Sequence, residues 1–286
     1  MNSKLKVSEI FFSIQGEGRY MGVPSIFLRM FGCNFRCKNF GRYGQDIVKD
    51  NKSRNPEVNE IIKNIEQYKT LKDLPLVETG CDSYSSVYPE FKSFVFNQTP
   101  DEIVERIMTL LPHSEWQDEH LVITGGEPLL GWQRCYPDLL MHEKMRNVQE
   151  ITFETNGTQK LSKDLISALN IWDWEEVTFS VSPKLSCSGE SSEDAIKPQI
   201  VAEYANIGYT YLKFVIATEE DAGEALRTID IYRDAGFHGP VYLMPVGGTE
   251  SVYSLNNRRV AELAMKHGLR YSDRLQVPLF KNSWGT

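Results

Sequence analysis

The sequence predicts an α/β fold built on a largely parallel sheet, and three observations carry that prediction. Apolar, β-branched runs recur at residues 6–14, 25–31, 120–124, 150–154, 177–181, 211–217, 240–244 and 270–279. Helical patterns fall between several of them, and strand–helix alternation marks parallel strands joined by crossover helices. Turn-rich clusters follow four of the runs: Gly125-Gly126-Glu127-Pro128, Thr155-Asn156-Gly157-Thr158, Ser182-Pro183-Lys184 and Met244-Pro245-Val246-Gly247-Gly248. A parallel sheet binds ligands outside the C-terminal ends of its strands, whether it is open or curled into a barrel. The four clusters therefore mark where chemistry belongs.

The segments in between justify the helices. Residues 41–80 read as an insertion, with an amphipathic helix through Val58, Ile61, Ile62, Ile65 and Tyr68. At Thr99-Pro100-Asp101-Glu102, a Thr N-cap stands three residues before Glu, with Pro at the first helical position, which is a helix start. Ile103, Ile107, Leu110 and Leu111 then repeat at helical spacing. Thr218 and Asp221 form a second capping pair ahead of Ala225, Leu226, Ile229 and Ile231. With no internal repeat, low-complexity tract or Gly/Pro/Ser linker, residues 1–286 read as one domain that carries the 41–80 insertion within it.

Composition narrows the function classes. Of 286 residues, 41% are apolar and 24% charged, enough to build a core without help from disulfides. No run approaches the roughly 20 apolar residues of a membrane helix. Residues 1–7 lack the apolar segment of a secretory signal, so a cytoplasmic location is expected. The net charge of −8 argues against direct nucleic-acid binding, which calls for a basic face. One basic segment runs against this balance, with Arg36, Lys38, Arg42, Lys49, Lys52 and Arg54, and it reads as a solvated loop. Five cysteines in a chain with no export signal point to metal binding or catalysis rather than to a disulfide scaffold.

Cys33 and Cys37 are separated by three intervening residues directly after the run 25–31. A Cys-x-x-Cys pair would suggest zinc or thiol redox chemistry, and the three-residue gap is less usual there. A cubane iron–sulfur cluster is held by thiolates from a compact loop, and if the protein binds three irons, the fourth is free for a substrate or cofactor. The familiar spacing would put a third cysteine at position 40, which is Phe40 here. Three candidates remain. Cys81 ends the insertion, Cys135 lies in an aromatic helical stretch and reads as a core thiol, and Cys187 follows Ser182-Pro183-Lys184. Cys81 is favoured, because a long excursion returns to its start at little extra entropic cost. The five histidines are scattered, with neither metal-ligand nor triad spacing.

Taken together, the motifs resemble a known family. Gln15-Gly16-Glu17-Gly18, Gly22-x-Pro24-x-x-Phe27-x-Arg29 and Gly32-Cys33-Asn34-x-x-Cys37 are similar to the N-terminal signature of 7-carboxy-7-deazaguanine synthase, of the radical S-adenosylmethionine superfamily. Cys81-Asp82-Ser83 resembles the element that closes its cluster motif. Gly125-Gly126-Glu127-Pro128, Glu154-Thr155-Asn156-Gly157, Ser182-Pro183-Lys184 and Arg274-Leu275-Gln276 continue the match in order along nearly the whole chain. The departure is the displaced third cysteine. The cluster assignment holds only if Cys81 folds back beside Cys33 and Cys37.

The resemblance implies a partial, incomplete TIM-like barrel of the radical S-adenosylmethionine type, with mostly parallel strands. It implies a 4Fe–4S cluster on Cys33, Cys37 and Cys81, and S-adenosylmethionine cleaved reductively to a 5′-deoxyadenosyl radical. The radical is carried by the cofactor, so no side chain is assigned as catalytic. Gly125, Gly126, Glu127, Glu154, Asn156, Ser182 and Lys184 would hold the cofactor, because glycines admit close backbone approach and carboxylates accept from an ammonium. Alone, Gly-Gly after a strand is more often only a tight turn. The implied reaction is the Mg²⁺-dependent ring contraction of 6-carboxy-5,6,7,8-tetrahydropterin to 7-carboxy-7-deazaguanine with loss of ammonia. Ser83 would bind Mg²⁺, with Asp82 beside it. Arg29 would grip the substrate carboxylate, and Gln15, Gly16, Glu17 and Thr124 would meet the pterin. A flavodoxin-like electron donor and a homodimer are implied partners, with no membrane. Two alternatives stay open: an activase of a glycyl-radical enzyme, and a non-enzymatic zinc-binding protein.

Overall fold

A computed structural model describes residues 4–50, 53–171 and 176–286. The first three residues of the N-terminal segment and Lys52 of the basic segment lie outside the described residues. Nine strands form one sheet: β1 (Leu5–Ile14), β2 (Pro24–Met30), β3 (Phe96–Gln98), β4 (His120–Gly125), β5 (Glu150–Thr155), β6 (Glu176–Val181), β7 (Tyr209–Ile216), β8 (Val241–Pro245) and β9 (Arg270–Tyr271). Their order is β3-β1-β2-β4-β5-β6-β7-β8-β9. β1 runs antiparallel to β2 and β3, and every later pairing is parallel. β3 and β9 end the sheet without pairing to each other, so the described residues form an unclosed barrel, the fold that the family resemblance implies. The helices are α1 (Pro56–Lys63), α2 (Pro100–Leu110), α3 (Tyr136–Leu140), α4 (Lys163–Ile171), α5 (Ser192–Ala195), α6 (Pro198–Ala205), α7 (Glu219–Asp234), α8 (Glu250–Lys266) and α9 (Gln276–Phe280). None is long and apolar enough to cross a membrane.

Side chains alternate across a strand, and the alternation sorts the sheet into a wall and a lumen. Leu121 and Ile123, Ile151 and Phe153, Val177 and Phe179, and Leu212 and Phe214 face the helices and join the main core. The intervening positions Thr124, Glu154, Ser180 and Lys213 face a cavity inside the curled sheet. Both predicted capping pairs form. Thr99 Oγ1 accepts from Glu102 N at 3.2 Å while Thr99 N donates to Glu102 Oε2 at 2.8 Å. Thr218 and Asp221 repeat the exchange at 3.1 and 3.0 Å. Each cap is worth about 1 kcal/mol.

Three local expectations are corrected. The run 270–279 is strand only over Arg270–Tyr271. Asp273 Oδ1 accepts from Arg274 N at 2.7 Å and turns the chain, Leu275 N donates to Gly16 O at 3.0 Å, and α9 follows. The insertion helix stops at Lys63, with Asn64 at its C-cap, and continues as a 3₁₀ turn over Ile65–Gln67. Strand β3 went unread, because three residues carry no periodicity. The basic segment is largely consumed internally: Lys38 is buried and donates to Asp50 O, Arg42 meets Glu57, and Arg54 meets Glu90.

Candidate active site

The cysteine loop leaves β2 at Met30, passes Cys33 and Cys37, departs at Phe40 and returns at Gly80, whose N–H donates to Phe40 O at 2.7 Å. That bond closes the neck of the excursion and sets Cys81 beside the position where a compact motif would carry its third thiol. Cys33, Cys37 and Cys81 line one cavity and pack in one cluster with Phe35 and Phe40. Cys135 is buried in the main core, and Cys187 donates to Val215 O at 3.6 Å outside the cavity lining. Among the described residues, no three His, Cys, Asp or Glu side chains converge closely enough to hold a single metal ion. Three thiols from one loop and its return are the donor set that an iron–sulfur cluster takes. Burial pushes the Cys33 and Cys81 thiols up to about 12 and Cys37 well up, and the positive charge of Lys184 opposes this at all three.

The loop is gripped from outside the cavity. Glu190 Oε1 accepts from Arg36 N at 2.8 Å and Cys37 N at 2.7 Å. It thereby holds Cys37 in a left-handed conformation, φ 47°, where a non-glycine residue is strained. From the other side the Gly-Gly-Glu turn docks on the chain entering the loop, with Gly126 N donating to Met30 O at 3.2 Å and Glu127 N to Gly32 O at 2.8 Å. A Cβ at Gly125 would lie 2.2 Å from Met30 O, and one at Gly126 2.4 Å from Gly32 O. Both glycines are thus required by backbone approach within the chain itself. The Glu127 side chain is fully buried behind the cavity wall, where it accepts from Leu129 N, Thr155 Oγ1 and Asn156 N at 3.0, 2.7 and 2.7 Å. Burial raises its pKa against those three donors.

Deeper in the lumen, Arg29 donates from Nε to Glu9 at 3.1 Å and from Nη1 to Ser83 Oγ at 3.0 Å. Ser83 in turn donates to Asp82 Oδ1 at 3.3 Å. Ser83 and Asp82 are hard oxygen donors of the kind magnesium takes alongside several waters. At the floor, Glu154 accepts from Thr124 Oγ1 at 2.9 Å and Gln15 Nε2 at 3.2 Å. Glu17 accepts from Lys213 Nζ, from Arg274 Nε at 3.2 Å and from Gln276 Nε2 at 2.8 Å. Arg274 also binds Asp82 and Gly247 O. Burial alone would raise Glu17, but Lys213 and Arg274 outweigh it and hold its pKa at about 2. Arg274 likewise overcomes burial to lower Asp82.

The structure brings Gln15, Gly16, Glu17, Arg29, Cys33, Cys37, Cys81, Asp82, Ser83, Thr124, Gly125, Gly126, Glu154, Asn156, Ser182 and Lys184 onto one cavity, and leaves Glu127 off its surface. Thr155 lines it as well. Sequence reasoning missed Glu9, Lys213 and Glu190 as site residues. For Lys213 a signal existed, since it is the lone charge of an apolar strand and a charge is rarely buried without a partner; Glu9 shares its strand with Lys6 and stood out less. Glu190 lies in a polar loop and gave none.

No family model matches the chain. Curated 7-carboxy-7-deazaguanine synthases do. That of Halobacterium salinarum is 27% identical over 98% of this chain and 91% of its own length. That of Pyrobaculum aerophilum is 26% identical over 99% and 97%, and that of Rhodopirellula baltica 27% over 99% and 90%. Among solved structures, QueE from Escherichia coli shares the fold with a TM-score of 0.54 at 17% identity, covering 95% of this chain and 94% of that one. End-to-end sequence similarity to these synthases, with the fold shared by QueE, makes this chain a relative of the 7-carboxy-7-deazaguanine synthases.

Proposed function

We propose that the chain is a 7-carboxy-7-deazaguanine synthase, a carbon–nitrogen lyase that contracts the ring of 6-carboxy-5,6,7,8-tetrahydropterin with loss of ammonia. Atoms balance without an external oxidant, since the substrate equals the product plus ammonia. The observation that carries the reading is the meeting of three thiols, an arginine and a clamped carboxylate on one cavity at the C-terminal ends of parallel strands. Cys33, Cys37 and Cys81 would hold a 4Fe–4S cluster. When bound, the cluster and S-adenosylmethionine supply the radical chemistry.

The chain's own residues bind and orient. Arg29 offers a guanidinium to the substrate carboxylate, with Glu9 fixing its plane. Glu17, kept ionised, accepts from the donor edge of the pterin, while Gln15 and Thr124 are tied to Glu154 and set the floor. Gly16 shapes the same loop. Ser83 would hold Mg²⁺ beside the carboxylate, with Asp82 reaching the ion through water. Gly125, Gly126, Glu154, Asn156, Ser182 and Lys184 surround the cofactor space, and Glu127 serves it indirectly by tying the β4 turn to Thr155 and Asn156. Residues 41–80 are read as an insertion within a single domain. A cytoplasmic setting, a flavodoxin-like electron donor and a homodimer complete the proposal.

The test is mass spectrometry of an anaerobic incubation of reconstituted protein with 6-carboxytetrahydropterin, S-adenosylmethionine, Mg²⁺ and a reductant. Formation of 7-carboxy-7-deazaguanine is expected. Formation of 5′-deoxyadenosine without it would overturn the substrate, and neither product from protein with an intact cluster would overturn the activity.

A further inference from the structure

The excursion between Cys37 and Cys81 is held shut by a small set of side chains at the start of α1. Asn55 is 1% exposed. Its Nδ2 donates to Lys38 O at 3.3 Å, Thr79 O at 2.8 Å and Thr79 Oγ1 at 3.0 Å, so one amide spans the outgoing and returning strands of the neck. Its Oδ1 caps α1, accepting from Glu57 N at 2.8 Å and Val58 N at 3.3 Å. Glu57 adds a second fastening: it accepts from Glu78 N at 2.7 Å, from Thr79 N at 3.1 Å and from Thr79 Oγ1. Gly80 lies against this amide with φ +82°, and a Cβ there would stand 2.4 Å from Asn55 Nδ2. Val58 and Ile61 anchor α1 in a separate apolar cluster with Leu74, Val77, Tyr84 and Phe91.

Lys38 is the residue after Cys37, and Thr79 stands two before Cys81. A fastening between them therefore fixes the distance between two of the three thiols. We propose that Asn55 and Glu57 form a clasp that sets Cys81 in reach of Cys33 and Cys37, so that the inserted segment is a requirement for cluster assembly. The proposal rests on reading the three thiols as cluster ligands. The clasp residues are positioning residues: they touch backbone and the Thr79 hydroxyl, and they act through the place they give Cys81. Because the amide of Asn55 is buried, its acceptors have no water to turn to when it is removed.

Asn55→Asp separates the two duties of the side chain. A carboxylate still accepts from Glu57 N and Val58 N, so the start of α1 survives, but it presents an acceptor to Lys38 O and Thr79 O. Glu57→Gln, on a partly exposed side chain, tests the second fastening with little risk to folding. The measurements are iron and sulfide per chain after anaerobic reconstitution, the rate of iron loss to a chelator, and the alkylation rate of Cys81 in the cluster-free chain. Circular dichroism checks the fold, and Cys81→Ala and Cys135→Ala flank the series.

In Asn55→Asp, iron loss about tenfold faster is expected, with Cys81 alkylated about tenfold faster as the neck opens. Glu57→Gln should move both readouts in the same direction. Cys81→Ala should fail to hold a full cluster, and Cys135→Ala should match wild type. Wild-type iron content, release and alkylation in both clasp variants would overturn the clasp while leaving the ligand assignment standing. A full, stable cluster in Cys81→Ala would overturn the ligand assignment itself, and the clasp with it.

Discussion

Lys213 sits in the middle of a parallel strand, 4% exposed, with a charge that burial would make costly without a partner. Its partner Glu17 arrives from the loop after β1, at the far end of the sequence from Arg274 and Gln276, which complete the clamp. The arrangement turns a flexible carboxylate into a fixed, ionised acceptor. Glu17 has its pKa depressed to about 2, so its contribution to stability is full above the ordinary carboxylate range and is lost as pH falls through 4.5 toward 2. Lys213→Met should destabilise the fold by roughly 3 kcal/mol, because it leaves a buried charge short of its partner. It should also shrink the acid-dependent loss, because the folded-state pKa of Glu17 moves back up toward its ordinary value. Lys213→Met combined with Glu17→Gln should be milder than Lys213→Met alone, since the second change removes the stranded charge. Denaturant melts across pH measure both, and strictly additive losses in the double variant would refute the coupling.

At the scale of elements, each strand of the parallel set has a wall face and a lumen face, and β4 shows what the lumen face demands. His120 is fully buried in it, with Nε2 2.9 Å from Thr152 Oγ1 and its ring tilted against Tyr20 at 4.3 Å. Burial pushes its pKa down to about 3. The folded chain thus refuses a proton that the unfolded chain accepts below 6.5. The stability this gives is complete above that value, falls progressively as pH drops toward 3, and then levels off. The loss should reach roughly 2 kcal/mol at pH 5, and His120→Gln should abolish that part of the slope. Equal losses between pH 7 and 5 in wild type and variant would sink the assignment. Element types were legible in the sequence wherever a period or a cap wrote them: the alternating runs, the Thr99 and Thr218 boxes, and the turn clusters at strand ends. What stayed hidden was set by distant partners. The run 270–279 has strand-like composition, yet Asp273 turns it and Arg274 is drawn to Glu17 and Asp82. Glu127 reads as a cofactor carboxylate in its motif, while two of its three donors, Thr155 and Asn156, are visible only once β5 lies beside β4.

For the whole molecule, the question is whether the cysteine loop, the neck of the excursion and the Gly-Gly-Glu turn behave as one cooperative unit. Their bonds argue that they do. Phe40 joins Gly80, Gly32 N donates to Ser86 O at 2.7 Å, and Glu127 N donates to Gly32 O at 2.8 Å, so segments far apart in sequence share a hydrogen-bonded ring around the thiols. Any ligand that engages those thiols stabilises the native state against every opening that breaks the ring, by about 2.7 kcal/mol at a hundredfold excess over its dissociation constant. Openings that leave the ring intact gain nothing. Hydrogen exchange should therefore slow by about a hundredfold at residues 31–40 and 78–88 when the cluster and S-adenosylmethionine are loaded. The edge strand β3, exposed at the far end of the sheet and free to fray without disturbing the thiols, should exchange as before. Protection confined to 31–40, with none at 78–88, would place Cys81 outside the unit. Protection at both together means that a ligand set interrupted by the excursion is closed by the fold as firmly as a contiguous one.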